Sequence, residues 1–416
     1  MPSSFRKNPA FLQMFVLPLF LAACLWDSPE ESPEYLPIDD SMYPYADVPR
    51  IAIEVEDFHE IRDRETEFPA NFQVYGKDSP ESGVLHLTVR GRGNSSFKMP
   101  KYGLKLEFDE KVSLFGMPKN RDWALIPNFG DKTHLRNFIM FRLSTLLSAD
   151  YTPRSEFVEL YLNRKYMGLY LLAENVKVGK NRVNIAKGDS SFLFEKETSK
   201  KLDPPYIETS MGNQIHIKYP KNLTQKSESL ALEHLNGFES YLLERGFRSG
   251  YPMDDWVDIE DLLLYYWVQE FAKNEDGNFV RSVFFSWEYG STIHFGPLWD
   301  FDLGFGNASR DECKSHERWY IRNYGWFYYM FRDESVRLRA KEFWLENRDV
   351  FRSVPDSVAL YAEKISKVIK NEYRRWPVMK NTENWALKDP YEDYDEALDV
   401  LVEWMRARFE WIEENL

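Results

Sequence analysis

Hydrophobic and polar residues alternate along much of the chain between about residues 50 and 220, and helical spacing replaces this alternation from about residue 224. Leu104, Leu106 and Phe108, for instance, alternate with Lys105 and Glu107. A two-residue period predicts strands that bury one face, whereas apolar residues three and four apart predict helices. The change of period therefore predicts an α+β fold in which a strand-rich part precedes a helical part.

Several elements of the helical part are predicted individually. Helices are expected at 227–245 and 258–273, and Leu401, Met405 and Ile412 belong to the apolar stripe of a C-terminal helix. Short strands are expected near 281–287 and 292–296. We predict two lobes, an N-lobe at about 50–222 and a C-lobe at about 223–416, with a ligand cleft between them.

The N-terminus has the pattern of an export signal. Arg6 and Lys7 precede an apolar run that ends at Ala23, directly before Cys24. This run is too short for a bilayer core, which needs about 20 residues, but it has the length of a signal peptide. The residues around Cys24 resemble the lipobox of bacterial lipoproteins. That resemblance implies cleavage of residues 1–23, acylation of Cys24 and a membrane anchor facing outward or the periplasm; an ordinary secretory signal is the alternative.

Residues 24–49 are rich in Pro, Ser, Asp and Glu, a composition that buries little apolar surface, so we predict a flexible tether there. A single domain is expected to follow at 50–416. The net charge of −14 argues against nucleic acid as a main partner. With Cys313 as the only other cysteine, neither a disulfide framework nor a cysteine-based zinc site is possible.

The segment from Trp299 to Gly306 contains two carboxylates, Asp300 and Asp302, between aromatic and aliphatic residues. Carboxylates two apart lie on one side of an extended backbone, and their hard oxygens suit Mg²⁺ or Mn²⁺. Two solvated aspartates at a strand end are the alternative. Upstream, Asp276 lies in a polar segment between a predicted helix and strand, where a catalytic carboxylate or a simple turn would both fit.

A glycine-containing segment with cations follows an earlier strand. Arg92, Asn94 and Ser95 belong to it, and Lys101 and Lys105 follow. Backbone amides, glycines and cations together can bind phosphate, although this segment does not match the common nucleotide-binding patterns. A structural hairpin turn is the alternative.

These segments together resemble the spore-coat protein H (CotH) kinase family. The resemblance rests on residues 90–97, 100–105, 131–137, 160–174, 274–276 and 299–306, which occur in the order of the family's motifs. It implies an atypical, two-lobed protein-kinase-like fold. It also implies an enzyme that uses ATP with Mg²⁺ or Mn²⁺ to phosphorylate Ser or Thr of surface proteins.

Site residues follow from the resemblance position by position. It implies that Asp276 is the catalytic-loop aspartate, that Asp300 holds the metal with Asp302 beside it, and that Lys105 or Lys101 contacts the ATP phosphates. Arg92, Asn94 and Ser95 are the further phosphate-binding candidates.

One departure from the family pattern concerns the metal site. Family members commonly have His-Asn just before the strand that follows the catalytic aspartate, and the Asn helps to hold the metal. The corresponding stretch of this chain reads Arg281-Ser282-Val283-Phe284-Phe285, so Asn278 is the expected substitute, from a shorter loop. Two other functions therefore remain open: a non-catalytic surface scaffold or pseudokinase, and a glycosyltransferase that uses an Asp-x-Asp metal site.

Overall fold

A computed structural model describes residues 35–198, 205–245, 252–383 and 389–416. The predicted signal peptide, Cys24 and residues 24–34 of the predicted tether lie outside these ranges. None of the helices within them combines the length and the apolar character that crossing a bilayer requires.

Seven strands of the first half close into a barrel. Its strands pair in the order β1-β2-β3-β4-β5-β7-β6, and a parallel pairing of β1 with β6 closes it. Their bounds are β1 (Arg50–Val55), β2 (Phe68–Tyr75), β3 (Leu85–Arg92), β4 (Gly103–Val112), β5 (Asn120–Ile126), β6 (Ser155–Leu162) and β7 (Lys165–Glu174).

The alternation of the sequence sets the two faces of the barrel. Leu104, Leu106 and Phe108 of β4 are buried in its interior with the inward residues of the other strands. Because successive side chains of a strand point to opposite faces, Lys105 lies on the outer face. Arg90 of β3 is its cross-strand partner there. The outer face of β3 to β5 is therefore polar and available to a ligand.

A second sheet lies beside the barrel and contains strands from both halves of the chain. All of its pairings are antiparallel, in the order β12-β11-β8-β10-β9. Its strands are β8 (Ser191–Lys196), β9 (Tyr206–Glu208), β10 (Gln214–Tyr219), β11 (Val283–Glu288) and β12 (His294–Phe295).

The helices pack mainly in the second half of the chain. Asp258 begins α3 by accepting a hydrogen bond from the backbone nitrogen of Asp261, and Asp393 caps α8 in the same way. The helices are α1 (Arg136–Leu146), α2 (Gln225–Arg245), α3 (Ile259–Ala272), α4 (Asp311–Lys314), α5 (Gly325–Met330), α6 (Glu334–Ile365), α7 (Val368–Arg375) and α8 (Tyr394–Asn415).

The predicted two-lobed kinase-like fold is wrong. The described chain has a closed barrel, a separate sheet and helices, with no division near residue 222. In the second sheet, β8 lies between β10 and β11, so strands from both predicted lobes form one layer. The main hydrophobic core likewise joins Phe138 of α1 to Trp267 of α3 and Phe351 of α6. Local periodicity identifies strands and helices, but it does not determine which distant strands pair.

Residues 35–49 pack against the barrel, although they belong to the predicted flexible tether. Leu36 is fully buried, and its backbone nitrogen donates to Gln73 Oε1 at 2.7 Å. Asp40 forms an ion pair with Arg50 at 2.7 Å. The average composition of 24–49 conceals a few apolar residues, such as Val48, that find buried positions. Any tether therefore ends before residue 35.

Candidate functional site

A cleft of about 440 Å³ opens where the outer face of the barrel meets the second sheet. Residues of β3, β4 and β5 line one side, and residues of β8 and β10 line another. Further lining comes from several loops, among them one between α3 and β11 and one after β12. Most of the predicted site residues line this one cleft: Arg92, Asn94, Ser95, Lys105, Asp276, Asp300 and Asp302.

The acidic part of the cleft holds three carboxylates close enough to influence one another. Burial, followed by the charges of Asp300 and Asp276, raises the pKa of Asp302 well above its ordinary value. Burial also raises the pKa of Asp276 to about 7; Arg281 opposes this shift, and Asp300 adds to it. Like charges in a partly buried site repel unless a cation or a proton lies between them. The oxygens of Asp300 and Asp302 therefore fit a divalent cation.

The backbone of Asp300 is fixed by two asparagines. Asp300 has φ of 68°, a left-handed conformation that is uncommon for residues other than glycine. Asn274 Nδ2 donates to the carbonyl oxygen of Asp300 at 3.1 Å, and the next backbone nitrogen, of Phe301, donates to Asn137 Oδ1 at 2.8 Å. Both sides of the peptide group after Asp300 are therefore held, which fixes the backbone from which its carboxylate extends.

Helix α1 holds the same loop further along. Arg136 Nε donates to the carbonyl oxygen of Gly304 at 3.0 Å, and Arg136 also pairs with the buried Asp131. Sequence reasoning identified the segment 131–137 as part of a family pattern but assigned no role to Arg136 or Asn137. Two buried polar residues at the start of an otherwise apolar helix were the available signal.

Arg281 and Ser282 are functional candidates that sequence reasoning treated only as a departure. Arg281 Nε lies 3.2 Å from Asp276 Oδ1, and Ser282 Oγ donates to Asp300 Oδ2 at 3.0 Å. Both residues line the cleft directly before β11 begins at Val283. Each of the two key aspartates thus has a polar neighbour from this short segment.

The cationic part of the cleft comes from the barrel. The guanidinium of Arg92 lies 4.6 Å from the centre of the Trp299 ring. Arg92 lines the cleft, and its guanidinium is a planar set of hydrogen-bond donors. Lys105 Nζ pairs with Glu107 at 2.9 Å and with Glu67 at 3.5 Å. Arg92 is therefore the cation more directly associated with the metal loop, and Lys105 lies among carboxylates of the barrel.

Lys101 and Asn278, the other two predicted residues of the phosphate and metal sites, are not among the residues that line this cleft. Lys101 Nζ is fully buried and bonds Glu372 at 2.7 Å and the carbonyl oxygen of Leu169 at 2.5 Å. Asn278 is also buried, and its Nδ2 donates to Tyr320 Oη at 2.8 Å. Lys101 is thus paired within the fold, whereas Asn278 has a partner there for Nδ2 and none for Oδ1.

A second group of ionisable residues lies at the start of α3. Asp258, Asp261 and His294 bring one possible ligand atom each within 4.8 Å of one another. Asp258 caps the helix, and His294 Nδ1 lies 2.6 Å from Asp261 Oδ2. A helix cap and an ion pair account for these contacts.

Comparison with known families supports the resemblance of the sequence. The family model described as CotH kinase protein matches residues 89–412, a range that includes every predicted residue of the cleft. No curated protein matches the chain. Because the family match covers most of the chain, the protein belongs to the CotH kinase protein family.

Proposed function

We propose that the protein is a kinase that transfers the γ-phosphate of ATP to Ser or Thr of a protein acceptor. The observation that carries this proposal is the single cleft in which Asp276, Asp300 and Asp302 lie with the cations Arg92 and Lys105. Phosphoryl transfer requires chiefly positioning and charge stabilisation, and these residue types supply both.

Asp276 is the proposed acceptor of the proton from the substrate hydroxyl. Burial brings its pKa to about 7, near the pH at which a general base works best. Arg281 lies 3.2 Å away and favours the ionised carboxylate, the form that can accept a proton. The acceptor hydroxyl would approach Asp276 from the cleft, which this carboxylate lines.

Asp300 and Asp302 are the proposed holders of Mg²⁺ or Mn²⁺. A bound divalent cation neutralises charge on the phosphates and holds them for in-line transfer. Arg92 would bind phosphate oxygens through its planar guanidinium, and Lys105 would add positive charge. Asn94 and Ser95 lie beside Arg92 on the phosphate side of the cleft.

Transfer of radiolabelled phosphate by the purified full chain tests the proposal. The wild type should label itself or an added Ser-rich and Thr-rich protein in the presence of Mg²⁺ or Mn²⁺. Asp276→Ala and Asp300→Ala should each reduce the rate by about 100-fold or more, because each removes a preorganised charge. Asp349→Asn is the matched control, because Asp349 is 91% exposed on α6.

The result also separates the alternatives. Equal labelling by the wild type and both cleft variants would contradict the assigned roles. A thermal shift with UDP-sugars and none with ATP would favour the glycosyltransferase.

A non-catalytic surface protein of the same family is the second candidate. Two contacts favour it: Asn278 Nδ2 donates to Tyr320 Oη, and Arg281 is paired with Asp276. Calorimetry distinguishes the two functions directly. Binding of ATP with Mg²⁺ is expected for the kinase, and absence of nucleotide binding would support the scaffold.

The proposal includes export and anchoring through acylated Cys24. Its support is the N-terminal sequence, in which a short apolar run ends in two alanines before the cysteine. Cys24→Ala should move the protein from the membrane fraction to the soluble fraction, because the acyl chains provide the anchor. An unchanged membrane fraction would contradict the lipid anchor.

A further inference from the structure

Ser282 is positioned at the metal side of the cleft by the backbone on both of its sides. It ends the loop that contains Asp276, and β11 begins at the next residue. Its φ is 54°, so the chain turns sharply there before it enters the sheet. This turn directs the hydroxyl to Asp300, whose Oδ2 accepts a hydrogen bond from Ser282 Oγ at 3.0 Å.

The partner of Ser282 is equally constrained. Asn274 and Asn137 hold the peptide group that follows Asp300, at 3.1 Å and 2.8 Å respectively. The backbone that carries each of these side chains is therefore held, and a hydrogen bond joins the hydroxyl of Ser282 to the carboxylate of Asp300. Preorganised oxygens of this kind are what a site for a small hard cation requires.

A neutral oxygen suits this position better than another carboxylate would. Three carboxylates, Asp276, Asp300 and Asp302, already line this part of the cleft. A further carboxylate would add repulsion, whereas a hydroxyl supplies a lone pair without charge. Serine and threonine hydroxyls hold Mg²⁺ in this way at other phosphate-transfer sites.

We infer that Ser282 is a third protein oxygen of the divalent-cation site, beside Asp300 and Asp302. This inference rests on the proposed function, because it assumes that these two aspartates hold Mg²⁺ or Mn²⁺. Asn278, the residue that the sequence suggested for this place, donates to Tyr320 instead. The hydroxyl of Ser282 is already in contact with a proposed ligand.

Metal binding by the full chain tests the inference without reference to activity. Mn²⁺, Mg²⁺ and Cd²⁺ affinities are measured by calorimetry for the wild type, Ser282→Ala, Ser282→Cys and Asp300→Asn. Ser282→Ala should weaken Mn²⁺ binding by about 10-fold. Ser282→Cys should weaken Mg²⁺ binding and strengthen Cd²⁺ binding by about 10-fold, because a thiolate prefers soft metals.

Ser286→Cys is the matched control for the added thiol. Ser286 lies on the same strand β11, is 5% exposed and lies outside the cleft lining. Its Cd²⁺ affinity should equal that of the wild type. Thermal unfolding checks that each variant is folded, and if Ser282→Ala does not fold, the nearly isosteric cysteine variant carries the test.

The outcomes separate the inference from the proposed function. If Ser282→Ala binds Mn²⁺ as tightly as the wild type while Asp300→Asn loses Mn²⁺ binding, the role of Ser282 is overturned and the metal site of the proposed function remains. Weaker Mn²⁺ binding in Ser282→Ala without a gain of Cd²⁺ in Ser282→Cys would also overturn it, because the hydroxyl would then only orient Asp300. Unchanged Mn²⁺ binding in Asp300→Asn would contradict the metal site of the proposed function itself.

Discussion

Buried charges are arranged in opposite ways in the core and in the cleft. In the core, Arg408 Nη2 donates to Glu270 Oε1 at 2.7 Å, and both side chains are fully buried. Lys101, just before β4, and Glu372 of α7 form a similar pair at 2.7 Å, with exposures of 0% and 2%. Each of these charges has its opposite charge within the fold.

The cleft contains carboxylates whose nearest charged neighbours include one another. The charges of Asp300 and Asp276 add to the effect of burial on the pKa of Asp302. Burial, with a smaller contribution from the charge of Asp300, keeps the pKa of Asp276 at about 7 even though Arg281 lies 3.2 Å away. The charges of the core pairs are neutralised within the fold without a ligand. The carboxylates of the cleft repel one another and lower the stability of the fold, and a bound cation would relieve this repulsion.

Substitution of Lys101 or Lys105 by Met should give the largest difference in the free energy of unfolding between the core and the cleft. Lys101→Met leaves the carboxylate of Glu372 buried without its cation, so the free energy of unfolding should fall by about 3–5 kcal/mol. Lys105→Met should change it by less than about 1 kcal/mol, because its ion pairs are partly exposed. The Lys105 variant should instead raise KM for ATP by about 10-fold, since it removes positive charge from the cleft.

Denaturant unfolding and steady-state kinetics measure the two effects. A restoring substitution sharpens the result: Glu372→Gln, added to Lys101→Met, should recover part of the lost stability because it removes the unpaired charge. Equal destabilisation by both lysine substitutions would contradict the distinction between core and cleft.

The two lysines also show what could be predicted from the sequence. Both lie in one segment that resembles the family, and nothing local separates a lysine that faces a cleft from one that pairs with Glu372, 271 residues away. Strand alternation did indicate that Lys105 lies opposite the apolar face of β4, which the barrel bears out. Asn278 Nδ2 likewise donates to a residue distant in the chain, Tyr320, and no local pattern indicates that contact.

Elements were easier to predict than their assembly. The expected helix at 258–273 corresponds to α3 at Ile259–Ala272, because its apolar and capping residues are local. The parallel pairing of β1 with β6, which closes the barrel, joins residues more than 100 positions apart, for example Ile51 and Leu160. No periodicity within either strand specifies that pairing, and the two-lobed prediction was wrong as a result.

Asp302→Asn should raise the free energy of unfolding, whereas Lys101→Met should lower it. At pH 8 in the presence of a chelator, the variant should be more stable than the wild type by about 1–2 kcal/mol, because one of the repelling carboxylates is gone. Added Mg²⁺ should stabilise the wild type and not the variant. Phosphate transfer should fall by about 100-fold.

Denaturant unfolding with and without Mg²⁺ provides the measurement, and Asp349→Asn on the exposed face of α6 is the control. A loss of stability in the metal-free Asp302→Asn protein would show that the cleft carboxylates support the fold. The contrast between the two regions would then be refuted.

A pH profile tests whether a buried carboxylate outside the cleft, Glu159, whose pKa is raised chiefly by burial, shows a smaller effect of the same kind. Burial raises the pKa of Glu159 to about 7, although Tyr166 and Asn371 donate hydrogen bonds to it. The folded state therefore favours the protonated acid. The resulting stability is complete below about pH 4.5 and is lost as the pH rises through 7.

Glu159→Gln keeps the shape of the protonated acid and cannot ionise. Its stability should match that of the wild type at pH 5 and exceed it by about 1–2 kcal/mol at pH 8. Thermal and denaturant unfolding at the two pH values give the comparison. Parallel profiles for the wild type and the variant would show that Glu159 does not titrate in this range.

The smallest change in the free energy of unfolding is expected for an exposed ion pair whose geometry is similar to that of the buried pairs. Arg406 Nη2 lies 2.8 Å from Asp356 Oδ1, nearly the distance between Lys101 and Glu372, but these two side chains are 59% and 71% exposed. Water already solvates both charges, so Arg406→Gln should cost no more than about 1 kcal/mol of unfolding free energy. If it costs as much as Lys101→Met, then pairing itself, and not burial, determines the energy of these ion pairs. The cost in stability of the cleft carboxylates would then come from their lack of opposite charges alone, and not from their burial.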